Sequence, residues 1–270
     1  MEWSGPPDPA SRIALSVLIY ARAKAGKSRL IASAPGPVLV WDFDGNFPQH
    51  AVPAGKVAIE RALDYAMYRR QLLKLQPAPG GFGVLYEGTI FNTVGMDTLT
   101  NLYSLIMDDV LKMPVKREVG NIREGDAVTI EGQRGREIAV TQDFLLAQER
   151  LKDLIRLHKQ LPCHFVAAGH EEIYEVGSGA SMEGGKKPVT TGIYAGISLT
   201  HKLNTRVPGL FNLWLRINVN NPGGEPPQAK HYEVWSSQNG WWPAGDFTGL
   251  LAPVEPADLT AIIRKAGGWA

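Results

Sequence analysis

Apolar runs alternate with amphipathic segments along the first two thirds of the chain. Near-continuous apolar runs predict strands that are buried on both faces, as in a parallel sheet, at 13–20, 37–41, 89–96 and 163–168. Helical composition or helical spacing of apolar residues predicts helices within 60–75, 99–110 and 144–155. Alternating strands and helices indicate an α/β fold in which crossovers join mostly parallel strands.

The last third of the chain is richer in strand patterns. Residues 193–219 and 230–242 predict strands, and Asn239-Gly240 between two tryptophans predicts a hairpin turn. A short terminal helix is expected over about 256–266, because an aspartate stands near its start and a glycine just past its end.

The same pattern predicts a single domain. Residues 1–12 are rich in Pro and Gly and predict a flexible lead-in, whereas 13–270 contain neither an internal repeat nor a clear linker. We therefore expect one α/β domain with a β-rich extension over about 193–250. The polar segment 112–140 predicts a loop or a small hairpin, and the glycine-rich segment 177–187 (GSGASMEGGKK) predicts a mobile loop.

Composition limits the class of protein. The 270 residues, 44% of them hydrophobic, suffice for a substantial core without disulfides. The single cysteine, Cys163, excludes an intramolecular disulfide and a Cys-cluster zinc site. No stretch reaches the roughly 20 apolar residues of a membrane span, and no signal-peptide pattern is present, so a cytoplasmic protein without a membrane partner is expected. The net charge of +1 argues against wholesale coating of nucleic acid, but not against a local basic groove.

A phosphate-binding motif follows the first predicted strand. Residues 21–28 (ARAKAGKS) fit the Walker A pattern G-x-x-x-x-G-K-[ST], except that Ala21 replaces the first glycine. Lys27 would contact the β- and γ-phosphates of a nucleotide, and the Ser28 hydroxyl would bind Mg²⁺. The alternative is an ordinary strand–helix turn. The expected nucleotide-binding residues are Ala23, Lys24, Ala25, Gly26, Lys27, Ser28 and Arg29.

Acidic residues follow two other predicted strands, at the edge where open α/β sheets bind ligands. Asp97 is predicted to bind Mg²⁺ together with Ser28. The alternative is that Asp97 or Thr98 caps the next helix, and both roles can hold at once. Asp42 or Asp44 would orient or deprotonate the attacking water, the alternative being a turn at Asp44-Gly45-Asn46. Glu60 is a weaker candidate for the same task.

Histidine and basic residues complete the candidate list. His170, after the fourth strand, would hydrogen-bond the γ-phosphate and report its presence to the following loop; the alternative is a structural histidine. Lys202 or Arg206 would act as a finger on the γ-phosphate, in its own subunit or a neighbour, or else be solvated loop charge. Lys186 and Lys187 lie in the region 186–230, which contains six Lys or Arg and one acid. These two lysines would contact a DNA backbone. The alternative is that they are solvated loop charges.

Taken in order, these segments resemble a known family. The segments VLIYARAKAGKS, VLVWDFDG, NTVGMDTLTNL and HFVAAGHEE, followed by a glycine-rich loop, look like the RecA-type core of phage-encoded P-loop ATPases of the single-strand annealing and recombination type. The tail segments YEVW, NGWWPAGD and EPADLTAIIRKAG are also similar, so the resemblance covers most of 13–266. Departures are Ala21, and Gly95-Met96 where the family usually has bulkier aliphatic residues.

The resemblance implies a function. It implies ATP binding by Lys27, Ser28 and Asp97, a γ-phosphate sensor at His170, contact with single-stranded DNA, and assembly into rings or filaments with ATP at subunit boundaries. We therefore expect an ATP- and Mg²⁺-dependent ATPase of phage recombination or strand annealing, with a single-strand-binding protein as a further partner. The alternatives are a P-loop ATPase acting on protein partners or DNA packaging, and a non-hydrolysing nucleotide-dependent scaffold. Nothing in the sequence distinguishes adenine from guanine.

Overall fold

The computed structural model describes residues 13–48, 55–112, 141–177, 190–220 and 231–268. The predicted lead-in, the segment 113–140, and the glycine-rich loop from residue 178 onward, which carries Lys186 and Lys187, lie outside the described residues.

Strands and helices alternate through the described chain. The strands are β1 (Ser16–Ala21), β2 (Val38–Asp42), β3 (Val57–Arg61), β4 (Gln76–Pro77), β5 (Val84–Tyr86), β6 (Thr89–Phe91), β7 (Thr93–Asp97), β8 (His164–Gly177), β9 (Thr190–Ile197), β10 (Leu213–Asn220), β11 (His231–Trp235), β12 (Gly245–Asp246) and β13 (Val254–Pro256). The helices are α1 (Lys27–Ala32), α2 (Tyr65–Leu72), α3 (Leu99–Leu111), α4 (Thr141–Lys159), α5 (His201–Arg206) and α6 (Leu259–Lys265), with a 3₁₀ turn at Pro208–Leu210.

A large sheet with a parallel centre organises these elements. Its order is β13-β11-β10-β1-β8-β7-β2-β3, with β12 beside β10 and β9 beside β8. The six strands from β10 to β3 run parallel, whereas β9, β11, β12 and β13 pair antiparallel. The prediction of an α/β fold with a mostly parallel sheet is confirmed. That residues 13–270 form one domain stays a prediction.

Both faces of the sheet are covered by helices, as the continuous apolar strands require. All six residues of β1 are buried. On one face, Leu18 joins a core with side chains of α2, α3, α4 and α5. On the other face, Val17 and Ile19 join a core with side chains of α1 and α6. The parallel centre of the sheet is therefore held between two apolar layers.

A close contact between α1 and β7 accounts for a glycine at position 95. A Cβ atom on Gly95 would lie 2.8 Å from Cγ2 of Ile31 and 3.2 Å from Cγ2 of Val40. Only glycine leaves room for α1 to pack directly on β7 at this point. The loop before α1 is thereby held beside the carboxyl end of β7, where Asp97 stands.

Several local predictions were incomplete. The apolar run 89–96 is two strands, β6 and β7, interrupted at Asn92, whose side chain donates to the Gly36 carbonyl at 2.7 Å. The segment 60–75, which was predicted to be helical, forms a helix only over α2, and its first residues belong to β3. The antiparallel sheet β4-β5-β6 was not predicted. Helix α5 lies inside the segment 193–219, which was predicted to be strands.

Two predictions in the last third are confirmed. The terminal helix is α6, with Asp258 at its N-cap accepting a hydrogen bond from the Ala261 N–H at 3.2 Å. The predicted hairpin turn is present one residue further on, since Asn239 and Trp242 exchange backbone hydrogen bonds around Gly240, whose φ is 59°.

Candidate nucleotide site

Three neighbouring parallel strands meet at one cleft, where β1 and β7 end and β8 continues beyond it. In the order β1-β8-β7, register pairs Ala21 with His170 and Ala167 with Met96. The loop after β1, His170 and Asp97 consequently emerge at the same edge. The cleft has a volume of about 560 Å³, within the range of about 300–1,000 Å³ typical of small-molecule sites. Its lining residues are Ala23, Lys24, Gly26, Lys27, Ser28, Arg29, Asp44, Asn46, Pro48, Asp97, Thr98 and His170.

The backbone of the loop explains why alanine is tolerated at its start. Ala21 is the last residue of β1 and pairs with His170. The left-handed positions are Lys24, with φ of 59°, and Gly26, with φ of 89°. Glycine is therefore needed at Gly26, where it is present, rather than at position 21.

Lys27 is a buried cation held by carbonyl groups. Lys27 is only 6% exposed. Its Nζ donates to the carbonyl oxygens of Ala21 at 3.2 Å and Arg22 at 3.0 Å. Within the described part of the chain, it forms no salt bridge with an acid. Burial lowers the pKa of Lys27, and the nearby carboxylates, Asp97 first, oppose this shift. An anionic ligand in the cleft would supply the missing negative charge.

Ser28 and Asp97 meet across the cleft floor. Ser28 Oγ donates to Asp97 Oδ2 at 2.5 Å. Burial raises the pKa of Asp97 to about 6; the Ser28 hydrogen bond opposes the shift, and the nearby Asp44 charge adds to it. The neighbouring Thr98, not Asp97, caps α3, because its Oγ1 accepts a hydrogen bond from the Asn101 N–H at 3.3 Å. A hydroxyl and an ionised carboxylate are the hard oxygen ligands that Mg²⁺ prefers.

The two candidate aspartates after β2 have different surroundings. Asp42 is 2% exposed, and its carboxylate accepts from the backbone N–H groups of Gly45 at 2.9 Å and Phe47 at 3.1 Å. Asp42 thus fixes the turn that carries Asp44. Asp44 lines the cleft, and burial raises its pKa, as does its contact with Asp42. Of the two, Asp44 is placed to contact a ligand. Glu60 does not line the cleft; it accepts from Gln71 Nε2 at 3.0 Å.

His170 lines the cleft but does not end its strand. Burial and the charge of Lys27 lower its pKa, which favours the neutral imidazole. Strand β8 was predicted to end before His170; instead it continues to Gly177 and pairs with β9 as an antiparallel hairpin that projects beyond the parallel sheet. His170 therefore stands at the root of this hairpin.

A buried ion pair that the sequence analysis missed lies on the opposite face of β8. The Glu171 carboxylate, with a side chain 1% exposed, accepts from Arg216 Nε at 2.7 Å and from Arg22 Nε at 3.3 Å. The Arg216 guanidinium lies 4.8 Å from the ring centroid of Trp235 and 4.4 Å from that of Trp242. We call the ion pair of Glu171 and Arg216, together with Arg22 and the two tryptophans beside it, the tryptophan-lined pair. The signal was a lone arginine within the apolar run LWLRI.

The described basic residues of the region 186–230 differ in exposure. Arg216 was counted among the basic residues of 186–230, but it is buried and adds nothing to an exposed basic surface. Lys202 and Arg206 are exposed on α5, and neither is among the residues that line the cleft of their own chain. A finger role of these residues within the same chain is therefore not supported.

Comparison with known proteins gives no family for this chain. No protein-family model matches it, and no curated protein matches it. In the part of the chain that the structure describes, no helix has the length and apolar character needed to cross a membrane. What the site can do follows from its geometry: Lys27 can hold an anion, and Ser28 with Asp97 can hold a divalent cation beside it.

Proposed function

We propose that the chain is a Mg²⁺-dependent ATPase with a RecA-like P-loop core that acts on single-stranded DNA. The observation that carries the ATPase part is the convergence of Lys27, Ser28 and Asp97 at one sheet edge, with a buried ammonium whose described partners are carbonyl groups. A triphosphate chain would complete the coordination of the ammonium, and Ser28 with Asp97 would hold Mg²⁺. Bound Mg²⁺ would neutralise charge that develops on the phosphate oxygens.

The side chains of the cleft divide the work of hydrolysis. Lys27 and the loop N–H groups would stabilise charge on the transferred phosphoryl group. Asp44 would hold a proton of the attacking water, and its raised pKa brings it closer to the pH at which a general base works best. Neutral His170 would donate a hydrogen bond to a γ-phosphate oxygen.

The continuity of β8 supports the DNA part of the proposal. One strand runs from the cleft at His170 into the β8–β9 hairpin, which leads toward the segment containing Lys186 and Lys187. A change at His170 would therefore be transmitted along a single strand. Assembly into rings or filaments belongs to the same proposal, with Lys202 and Arg206 contacting the nucleotide of a neighbouring chain.

Phosphate release from ATP, measured with and without single-stranded DNA, tests this proposal. We expect Mg²⁺-dependent release that DNA stimulates, and a loss of about 100-fold in Asp44→Asn because the general base is removed. Asp153→Asn is the matched control, since Asp153 is an exposed carboxylate on α4 paired with Arg156. Binding of ATP without release would instead favour the scaffold, and release that DNA does not affect would favour a protein partner or DNA packaging.

A further inference from the structure

A second cleft adjoins the first on the other side of the phosphate loop. It has a volume of about 380 Å³. Gly26 and Arg29 line both clefts, so the two are contiguous around the loop. The remaining lining residues are Ala25, Leu30, Ile217, His231, Tyr232 and Ala257.

One wall of this cleft is an aromatic ring placed against the loop. A Cβ atom added to Gly26 would lie 3.4 Å from Cε1 of Tyr232, so the ring lies beside the loop at Gly26, close enough for an added methyl group to touch it. Tyr232 comes from β11, which pairs with β10 at the antiparallel edge of the sheet. The β-rich extension thus brings a flat apolar surface to the loop that would hold phosphates.

The other side chains form an apolar cleft with a polar rim. Leu30 of α1 is buried, and Ile217 of β10 is 3% exposed. Arg29 is exposed and has no salt bridge within the described residues. The His231 side chain is 71% exposed and lies 3.7 Å from a Glu233 carboxylate oxygen. Apolar walls with a few polar groups at the opening match a planar heterocycle whose faces are apolar and whose edge carries donors and acceptors.

We propose that this second cleft binds the nucleobase of the triphosphate and that it takes a purine in preference to a pyrimidine. The inference rests on the proposed function, because phosphates bound at Lys27 leave the nucleoside to extend around Gly26 and Arg29. The base stacks on Tyr232, and a purine has the larger face for this contact. Arg29, at the junction of the two clefts, contacts the ligand between its phosphates and its base.

Two probes separate base binding from phosphate binding: the non-hydrolysable ATP analogue AMPPNP and inorganic tripolyphosphate, each with Mg²⁺. Titration calorimetry on wild type and Tyr232→Leu is expected to show AMPPNP affinity lowered by about 10- to 100-fold, the range for one lost stacking contact. Tripolyphosphate affinity should be unchanged, which also shows that the variant folds with an intact loop. Tyr232→Phe keeps the ring and should bind AMPPNP like wild type.

The outcomes distinguish this inference from the proposed function. Equal weakening of both probes in Tyr232→Leu would mean that the ring only supports Gly26, and it would overturn the base site. Unchanged AMPPNP affinity in Tyr232→Leu would also overturn it, as would wild-type affinity for a cytidine analogue that equals the affinity for AMPPNP. If wild type binds tripolyphosphate and AMPPNP with equal affinity, the nucleoside adds nothing to binding, and only the base site fails. If wild type binds neither probe, the ATPase proposal itself fails.

Discussion

Two clusters of buried charge lie on opposite faces of the sheet at the same edge, and adjacent residues of β8 join them. His170 lines the cleft, and Glu171 belongs to the tryptophan-lined pair. In the tryptophan-lined pair, a carboxylate and a guanidinium meet at 2.7 Å, and the guanidinium lies beside two indole rings. In the cleft, the hydrogen-bond partners of Lys27 among the described residues are carbonyl groups, and Asp97 accepts from a hydroxyl.

The difference separates charges that are paired within the fold from charges that, under the proposed function, would bind a ligand. In the cleft, burial lowers the pKa of Lys27 and raises that of Asp97 to about 6, so each group resists its charged form. In the tryptophan-lined pair, each charge has an opposite partner in contact. Neutralising one charge should therefore stabilise the protein in the cleft and destabilise it at the tryptophan-lined pair.

The largest expected effect comes from breaking the tryptophan-lined pair. Among the described residues, Arg216→Met leaves the buried Glu171 carboxylate with the exposed Arg22 as its ion-pair partner. We expect the free energy of unfolding to fall by about 3–5 kcal/mol. Urea denaturation measures this change. The double variant Arg216→Met/Glu171→Leu removes both charges and should recover most of the loss. A double variant as unstable as the single one would show that the stabilisation comes from packing against the indole rings and not from charge.

In the cleft, neutralising a charge is expected to raise the free energy of unfolding rather than lower it. The pKa of Asp97 is raised from 3.8 to about 6, so its ionisation costs stability as the pH rises through that window. Asp97→Asn should therefore be more stable than wild type by up to about 3 kcal/mol above pH 6, with little difference below pH 4. Urea denaturation at pH 4 and pH 8 without Mg²⁺ measures this. A variant that is less stable than wild type at pH 8 would contradict the distinction between the two clusters.

The smallest effect is expected at the exposed end of the tryptophan-lined pair. The Arg22 side chain is 69% exposed, and its 3.3 Å ion pair with Glu171 is screened by solvent. Arg22→Ala should change the free energy of unfolding by less than about 1 kcal/mol, measured by the same urea denaturation. A loss as large as that of Arg216→Met would show that Arg22 stabilises the Glu171 carboxylate as much as Arg216 does.

The sequence predicted the parts of this molecule that local pattern determines. Buried strands such as β1 and β2 are apolar apart from Ser16 and Asp42 at their ends, and Gly26-Lys27-Ser28 is a motif with fixed spacing. Because parallel strands end at a common edge, the positions of Asp97 and His170 after apolar runs were enough to bring them near the loop. Strand β3 escaped prediction because its residues are only partly buried and it ends in charged residues.

Long-range register decided what the sequence could not show. Arg216 meets Glu171 only because β10 and β8 both pair with β1, where Tyr20 lies opposite Arg216 and Gly169. The second cleft likewise depends on the antiparallel pairing of β10 with β11, which brings Tyr232 to Gly26. The different roles of Asp42 and Asp44 depend on which carboxylate hydrogen-bonds the backbone and which faces the cleft. Two aspartates so close in the sequence cannot be told apart in this respect from the sequence.

Binding of Mg²⁺ with AMPPNP to wild type and Lys27→Met tests the central claim most directly. Methionine keeps the length and apolar stem of the buried side chain but removes the ammonium, and Lys74→Met, at an exposed pair with Glu87, is the matched control. By titration calorimetry we predict one site per chain in wild type and in Lys74→Met, and loss of binding in Lys27→Met. Equal affinity in wild type and Lys27→Met would contradict the assignment of this cleft as the phosphate site.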